Sequence, residues 1–350
     1  KNSKLVPNYI ASTPSSATLN NLYQTYTPNQ NGDWTPSMGN AGFQAQIGVL
    51  PLWDSLYINS GGDSRAFKSV VANSKALNSY PIVWNDSVTK LPTKPSDRPT
   101  WGFDGPGAGG NGEYGAGNLI WERAHHGSGG YLAYLITGDY YYLETMANQS
   151  ASIYLTVGSV DWTTNPASNN YGTSRYLNGQ TRAYAWSLRT ISQYVGIAPT
   201  GDGLASDYAS LLSNNMSHLK TLKDGVSPSG TGYIYEYELA AYDSANPGFV
   251  APWMQHFFIQ SLGSGSDLEP LSNMSTYNDV RDYMYKGAVG ILGDSNGYCF
   301  TEASQYTIRS TNGNNYNPNT WFKTWSQIYS ATFPTPPVCG NTLHGGSAGI

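Results

Sequence analysis

Two short segments carry side chains that could do chemistry. The first, Trp121-Glu122-Arg123-Ala124-His125-His126, joins a carboxylate, imidazoles and an indole at the expected start of a helix, directly after a glycine-rich stretch. A helix start beside a long loop is where cleft residues sit, and its dipole favours bound anions. The second, Asn178-Gly179-Gln180-Thr181-Arg182, runs on to Trp186 and Arg189. Spacings of four and three residues put Arg182, Trp186 and Arg189 on one helix face. Two arginines with a tryptophan between them make poor core. They suit a sugar ring bearing an acidic group: the indole supplies a stacking plane and the guanidinium a carboxylate partner.

A third segment, Tyr233-Ile234-Tyr235-Glu236-Tyr237-Glu238, alternates as a short strand or loop edge would, and offers Tyr235 and Glu236 as substrate contacts. A glycosidase needs two carboxylates flanking the scissile bond. Glu122, Asp104, Glu113, Glu236 and Glu238 are the candidates, and no spacing pairs any two of them. Each residue also has a plainer reading. His126 would cap the helix or pack against tyrosine, Arg182 and Arg189 would bridge hairpins through backbone carbonyls, and Trp253 would be core.

The elements that must position these groups follow from a recurring turn. Gly62-Asp63, Gly138-Asp139, Gly201-Asp202 and Gly293-Asp294 each follow a helix-like apolar segment, and Ser266-Asp267 is a variant. Glycine adopts the left-handed conformation that ends one helix, and aspartate caps the next by accepting its first backbone N–H groups. So short a connection makes the two helices antiparallel. The flanking periodicities predict five hairpins: 45–59 with 64–78, 123–137 with 140–157, 180–197 with 204–222, 252–262 with 277–292, and a fainter 302–309 with 320–333. Gly62 and Gly138 are 76 residues apart and Gly138 and Gly201 are 63 apart. Between hairpins lie long Gly/Asn/Tyr-rich inserts at 85–119, 161–179 and 224–248. Uniform repeats would make a solenoid, whereas unequal ones with long inserts predict a mainly α fold, an (α/α) toroid of five to six hairpins whose loops build a cleft. Residues 1–333 read as one such domain, and the Pro/Gly-rich 334–350 as a strap or linker.

Composition narrows the partners. Only 12% of the 350 residues are charged, the net charge is −5, and 28 tyrosines and 10 tryptophans sit in a Gly/Ser/Asn/Thr-rich background. Charge so far below the usual share, about 25%, with abundant aromatics, describes a folded chain with a neutral polar surface. Such surfaces suit proteins outside the cell, so we expect a secreted or cell-surface protein. Lys1 in place of Met fits a processed chain, and a trimmed one equally. No basic cluster offers phosphate neutralisation, so nucleic acid is not an expected partner. No apolar stretch approaches the roughly 18 residues of a membrane span. Cys299 and Cys339 lack metal-ligand spacing and read as a disulfide or as two buried thiols. No cofactor is required, and a structural calcium among the Asp/Asn-rich loops stays open.

Three literal motif matches fail their context. Gly107–Gly112 fits G-x-G-x-x-G without a preceding strand. Gly345–Gly349 fits G-x-S-x-G with no following helix. The four Asn-x-Ser sequons, at Asn85, Asn148, Asn215 and Asn273, are what an Asn/Ser-rich chain produces by chance.

The stretch from Ala124-His125 through Tyr131, Tyr134, Leu135 and Thr137-Gly138-Asp139 to Tyr141-Tyr142-Leu143 resembles a group of uncharacterised exported bacterial proteins. So do Gln180, Arg182, Ala185-Trp186, Leu188-Arg189-Thr190 and Ala251-Pro252-Trp253, the likeness covering about half the chain. More broadly, the hairpin architecture is similar to the (α/α) toroids of polysaccharide lyases and several glycoside hydrolases. That resemblance implies Tyr and His for proton transfer, with Asn, Gln or Arg neutralising a uronate carboxylate. His125, Gln180 and Arg182 match those types, and no tyrosine is singled out by motif. The expectation is therefore an extracellular polysaccharide-degrading enzyme, leaning to β-elimination of an acidic glycan. In it Gln180 and Arg182 hold the carboxylate, His125 moves the proton with Glu122 beside it, and Trp121, Trp186, Arg189, Tyr235 and Glu236 line the substrate. The alternatives are a glycoside hydrolase on the same fold, or a non-catalytic glycan-binding or self-assembling surface protein.

Overall fold

A computed structural model describes residues 3–9, 12–35, 44–102, 121–156, 172–177, 180–226, 230–234, 248–293, 297–313 and 320–340. These residues are mainly helical. In chain order they form α1 Ser16–Asn20, α2 Leu52–Asn59, α3 Ser64–Ala76, α4 Tyr131–Thr137 and α5 Tyr140–Thr156. There follow α6 Thr181–Ile197, α7 Gly203–Thr221, α8 Pro252–Gly265, α9 Ser275–Gly293 and α10 Trp325–Thr332. Strands β1 Phe249–Val250 and β2 Ile308–Arg309 pair antiparallel.

The turns are built as their residues dictate. Gly62, Gly138 and Gly201 take φ of +96°, +70° and +88°. After them Asp63 accepts from the Arg65 amide at 2.8 Å, Asp139 from Tyr141 at 3.1 Å, and Asp202 from Leu204 and Ala205 at 2.9 and 3.0 Å. A methyl on Gly138 would meet nothing within 4 Å, so only its left-handed backbone opposes substitution. Gly138→Ala should cost about 1 kcal/mol in urea denaturation. A neutral result would remove the turn from the list of determinants.

Successive hairpins pack on one another, and α5, the second helix of its hairpin, lies chiefly against α6, the first helix of the next. Helix α6 contacts α4 and, most extensively, α8, while α7 contacts α5 and α9. Antiparallel α4/α5, α6/α7 and α8/α9 contacts close each hairpin. Helices α6 and α8 run side by side in the same direction, Arg182 beside Trp253, Tyr184 beside Phe258 and Gly196 beside Leu268, so their N-terminal ends lie together on one face, the insert face. One large core, from Trp34 and Trp53 to Tyr277 and Met284, runs through the stack. A smaller one gathers Tyr233, Val250, Ile308, Trp321 and Trp325 at the C-terminal side.

Three expected elements differ. Residues 45–51 do not join α2, because Gly48 takes φ of +152° and Pro51 precedes the first helical residue. Residues 123–130 do not join α4. Their glycines are needed for close approach: a Cβ on Gly127 would lie 2.4 Å from the Gln46 carbonyl oxygen, and Gly130 has φ of +97°. In the fifth pair, 302–309 is a 3-10 turn (Phe300–Glu302) and then β2, where Ile308 and Arg309 pair with a strand. Asp267 caps no α-helix; a cis Glu269–Pro270 bond and a 3-10 turn separate it from α9. Cys299 and Cys339 are bridged, which ties 334–340 back beside α10, where the Tyr329 hydroxyl donates to the Pro337 carbonyl at 3.4 Å. Among the described residues no helix is long and apolar enough to cross a membrane.

Candidate functional site

The segment before α4 makes one tight turn, with the His125 and His126 amides both donating to the Glu122 carbonyl, at 3.1 and 3.0 Å. That turn brings the Glu122 carboxylate, through Oε2, against His125 Nδ1. Glu122 Oε1 meanwhile accepts from the Ala124 amide at 3.0 Å. Burial pushes the Glu122 carboxyl up, but the hydrogen bond and charge of His125 outweigh it and hold the group below its ordinary range. Glu122 is therefore an ionised orienting group. In its neutral form the His125 ring holds its one proton on Nδ1, facing the carboxylate, and carries a lone pair on Nε2, a buried atom with no hydrogen-bond partner. Carboxylate–imidazole pairs of this kind supply a positioned general base.

His126 does something else. Its Nδ1 accepts from the Glu122 amide at 2.9 Å and its Nε2 donates to the Thr35 carbonyl at 3.1 Å, so the ring is a neutral cross-link. It is wholly buried, T-stacked on Tyr80 and parallel to Trp121. Trp121 is itself only 7% exposed, and its role here is packing.

Helix α6 divides its polar face in two. Arg189 is buried, donating to the Gly48 carbonyl at 2.6 Å and the His126 carbonyl at 2.9 Å while lying over Trp186. Trp186 is fully buried against Phe257. Both residues were expected to line the substrate; the helix turns them inward, so neither offers a surface to a sugar. Arg189 instead bridges segments through carbonyls, the plainer reading. Arg182, one turn before Trp186, is half-buried at the insert face. Its Nε donates to Gln180 Oε1 at 3.0 Å and its guanidinium lies 5.7 Å from the Trp253 ring centroid on α8. The far side of that cluster is Tyr306, 39% exposed and 5.6 Å from the Trp253 ring. Arg123 links the two halves, reaching Ser187 Oγ at 3.4 Å, five residues or roughly 7.5 Å along α6 from Arg182. Tyr235 and Glu236 lie outside the described residues, as do Asp104, Glu113 and Glu238.

Trp253 is buried with Ala251 and Met254, as its core reading expects, and what sequence reasoning missed is that its ring lies beside both Arg182 and Tyr306. Pro252 at the first helical position, directly after an insert, marks Trp253 as a residue of the insert face. Nothing in the sequence flags Tyr306. It missed His256 as well, one turn further along α8, buried and with an unpartnered Nε2. Burial pushes its pKa from 6.5 down to about 4. The unfolded chain therefore binds the extra proton first. Stability should fall as pH drops from about 6.5 to about 4, by up to about 3 kcal/mol from this group. Comparing denaturation midpoints at both ends of that window, His256→Phe should lose less than the parent. Equal losses would clear His256. Among the described residues no three His, Cys, Asp or Glu side chains come together as a metal site.

No protein-family model, curated protein or solved structure matches this chain.

Proposed function

We propose that this chain is an extracellular enzyme that cleaves an acidic polysaccharide by β-elimination, on hairpins that close into an (α/α) toroid. The observation that carries the reading is the Glu122–His125 pair with its unpartnered Nε2, in the turn from which Arg123 reaches α6, the helix that carries Arg182. Arg182 and Gln180 hold the uronate carboxylate. His125 Nε2 takes the proton from the carbon beside it, and the electron pair forms a carbon–carbon double bond as the neighbouring glycosidic C–O bond breaks. Tyr306 returns a proton to the leaving oxygen, and Trp253 floors the site. Arginine so placed also neutralises the charge that builds on the carboxylate as the proton leaves.

Incubation with a panel of uronate polysaccharides, following absorbance of the new double bond, tests the proposal. Silence across the panel, with reducing ends released from neutral glycans, would replace it with a hydrolase. Saturable binding without turnover would replace it with a glycan-binding module.

A further inference from the structure

A second concavity lies away from the insert face. It is a cavity of about 710 Å3 between residues 4–9, the 45–52 approach to α2, and the C-terminal half of α8. Its lining includes Gln193 of α6 and Gly263 of α8. These lie eleven and ten residues beyond Arg182 and Trp253, roughly 15 Å along each helix.

Its chemistry is the reverse of the insert face. Leu5, Val6, Ile47, Leu50, Ile259 and Leu268 dominate the walls. Two of the polar groups set deepest among them already have protein partners. Gln193 donates to the Val49 carbonyl at 2.9 Å and accepts from Ser128 Oγ, and the Tyr131 hydroxyl donates to the Leu5 carbonyl. At the mouth, Lys4 and Asp267 pair with each other at 3.5 Å, leaving no net charge. Asp54, next to the lining residue Ser55, is wholly buried, and burial pushes its carboxyl well above the ordinary carboxylate range. A sugar entering here would give up water against the apolar walls and find few open hydrogen-bond partners, Asn8, Gln260 and Tyr285. An ion would find only the already paired Lys4 and Asp267. An apolar molecule loses nothing polar and gains burial, and the volume falls within the roughly 300–1,000 Å3 of ligand pockets.

We propose that this cavity is a binding site for a neutral, largely apolar small molecule, separate from the glycan face. The observation behind it is the cavity itself, apolar-walled, with Gln193 and Tyr131 paired within the protein and the Lys4–Asp267 ion pair self-cancelling. Two dyes sharing a ring system test it on the full chain: neutral N-phenyl-1-naphthylamine and anionic 8-anilinonaphthalene-1-sulfonate. The neutral dye should give saturable fluorescence and bind at least tenfold tighter than the sulfonate. Gln260, exposed at the rim, allows a block without disturbing the core. Gln260→Trp should weaken the neutral dye at least tenfold with an unchanged melting midpoint, and Ser264→Phe is the second block should the first fail to fold. No saturable binding, equal binding of both dyes, or undiminished binding in a folded blocked variant would each overturn the proposal. None of these outcomes depends on the chain degrading a glycan.

Discussion

His125→Ala should lower turnover of the responsive uronate polymer by about a thousandfold or more, within the 10²–10⁴ that a positioned general base contributes. Glu122→Gln should approach the same loss while changing the fold little. The amide can offer the imidazole the wrong hydrogen-bond polarity, and the ring then presents its proton where its lone pair is needed. The two changes together should cost little more than either alone, because they remove one device. Turnover by both single variants at the parent rate, with helical circular dichroism intact, would reject the pair as the proton-transfer group. Full activity in Arg182→Ala would reject the carboxylate clamp.

Arg189→Ala should destabilise the chain by about 3–5 kcal/mol, the usual cost of breaking a buried charged contact. The change strands the carbonyls of Gly48 and His126, which come from two segments with no helix of their own to satisfy them. Arg189→Lys should recover only part of this, since a single ammonium cannot fork to two carbonyls. Burial lowers the guanidinium pKa to about 9, so the charge carries a desolvation cost that makes the two carbonyl contacts necessary rather than optional. A urea midpoint within 1 kcal/mol of the parent would contradict the bridging role.

The helix pairs were readable because each depends on local chemistry: a left-handed glycine, a capping aspartate and a three-to-four apolar step. Residues 64–76, 140–156, 181–197 and 203–221 lie where those signals put them, within two residues at each end. The stretch 123–130 was misread because its glycines serve contacts with Gln46 and Leu77, far away in sequence. The same holds for the site. Glu122 with His125 is a local turn and was visible as a grouping. Trp186 and Arg189 share a face with Arg182, as their spacing required, but spacing alone does not say where along that face the surface gives way to core. Trp253 and Tyr306 meet Arg182 only through packing between α6, α8 and a loop fifty residues later, and no periodicity records that.

The described parts of the inserts are struts as well as loops. Arg175 donates to the carbonyls of Pro99, Trp101 and Tyr154, and the Asn215 side chain holds Arg175 and Leu177, so 98–101 and 172–177 brace α5 against α7. Transplanting either segment alone between chains of this build should therefore lower the melting temperature, and moving both together should restore it.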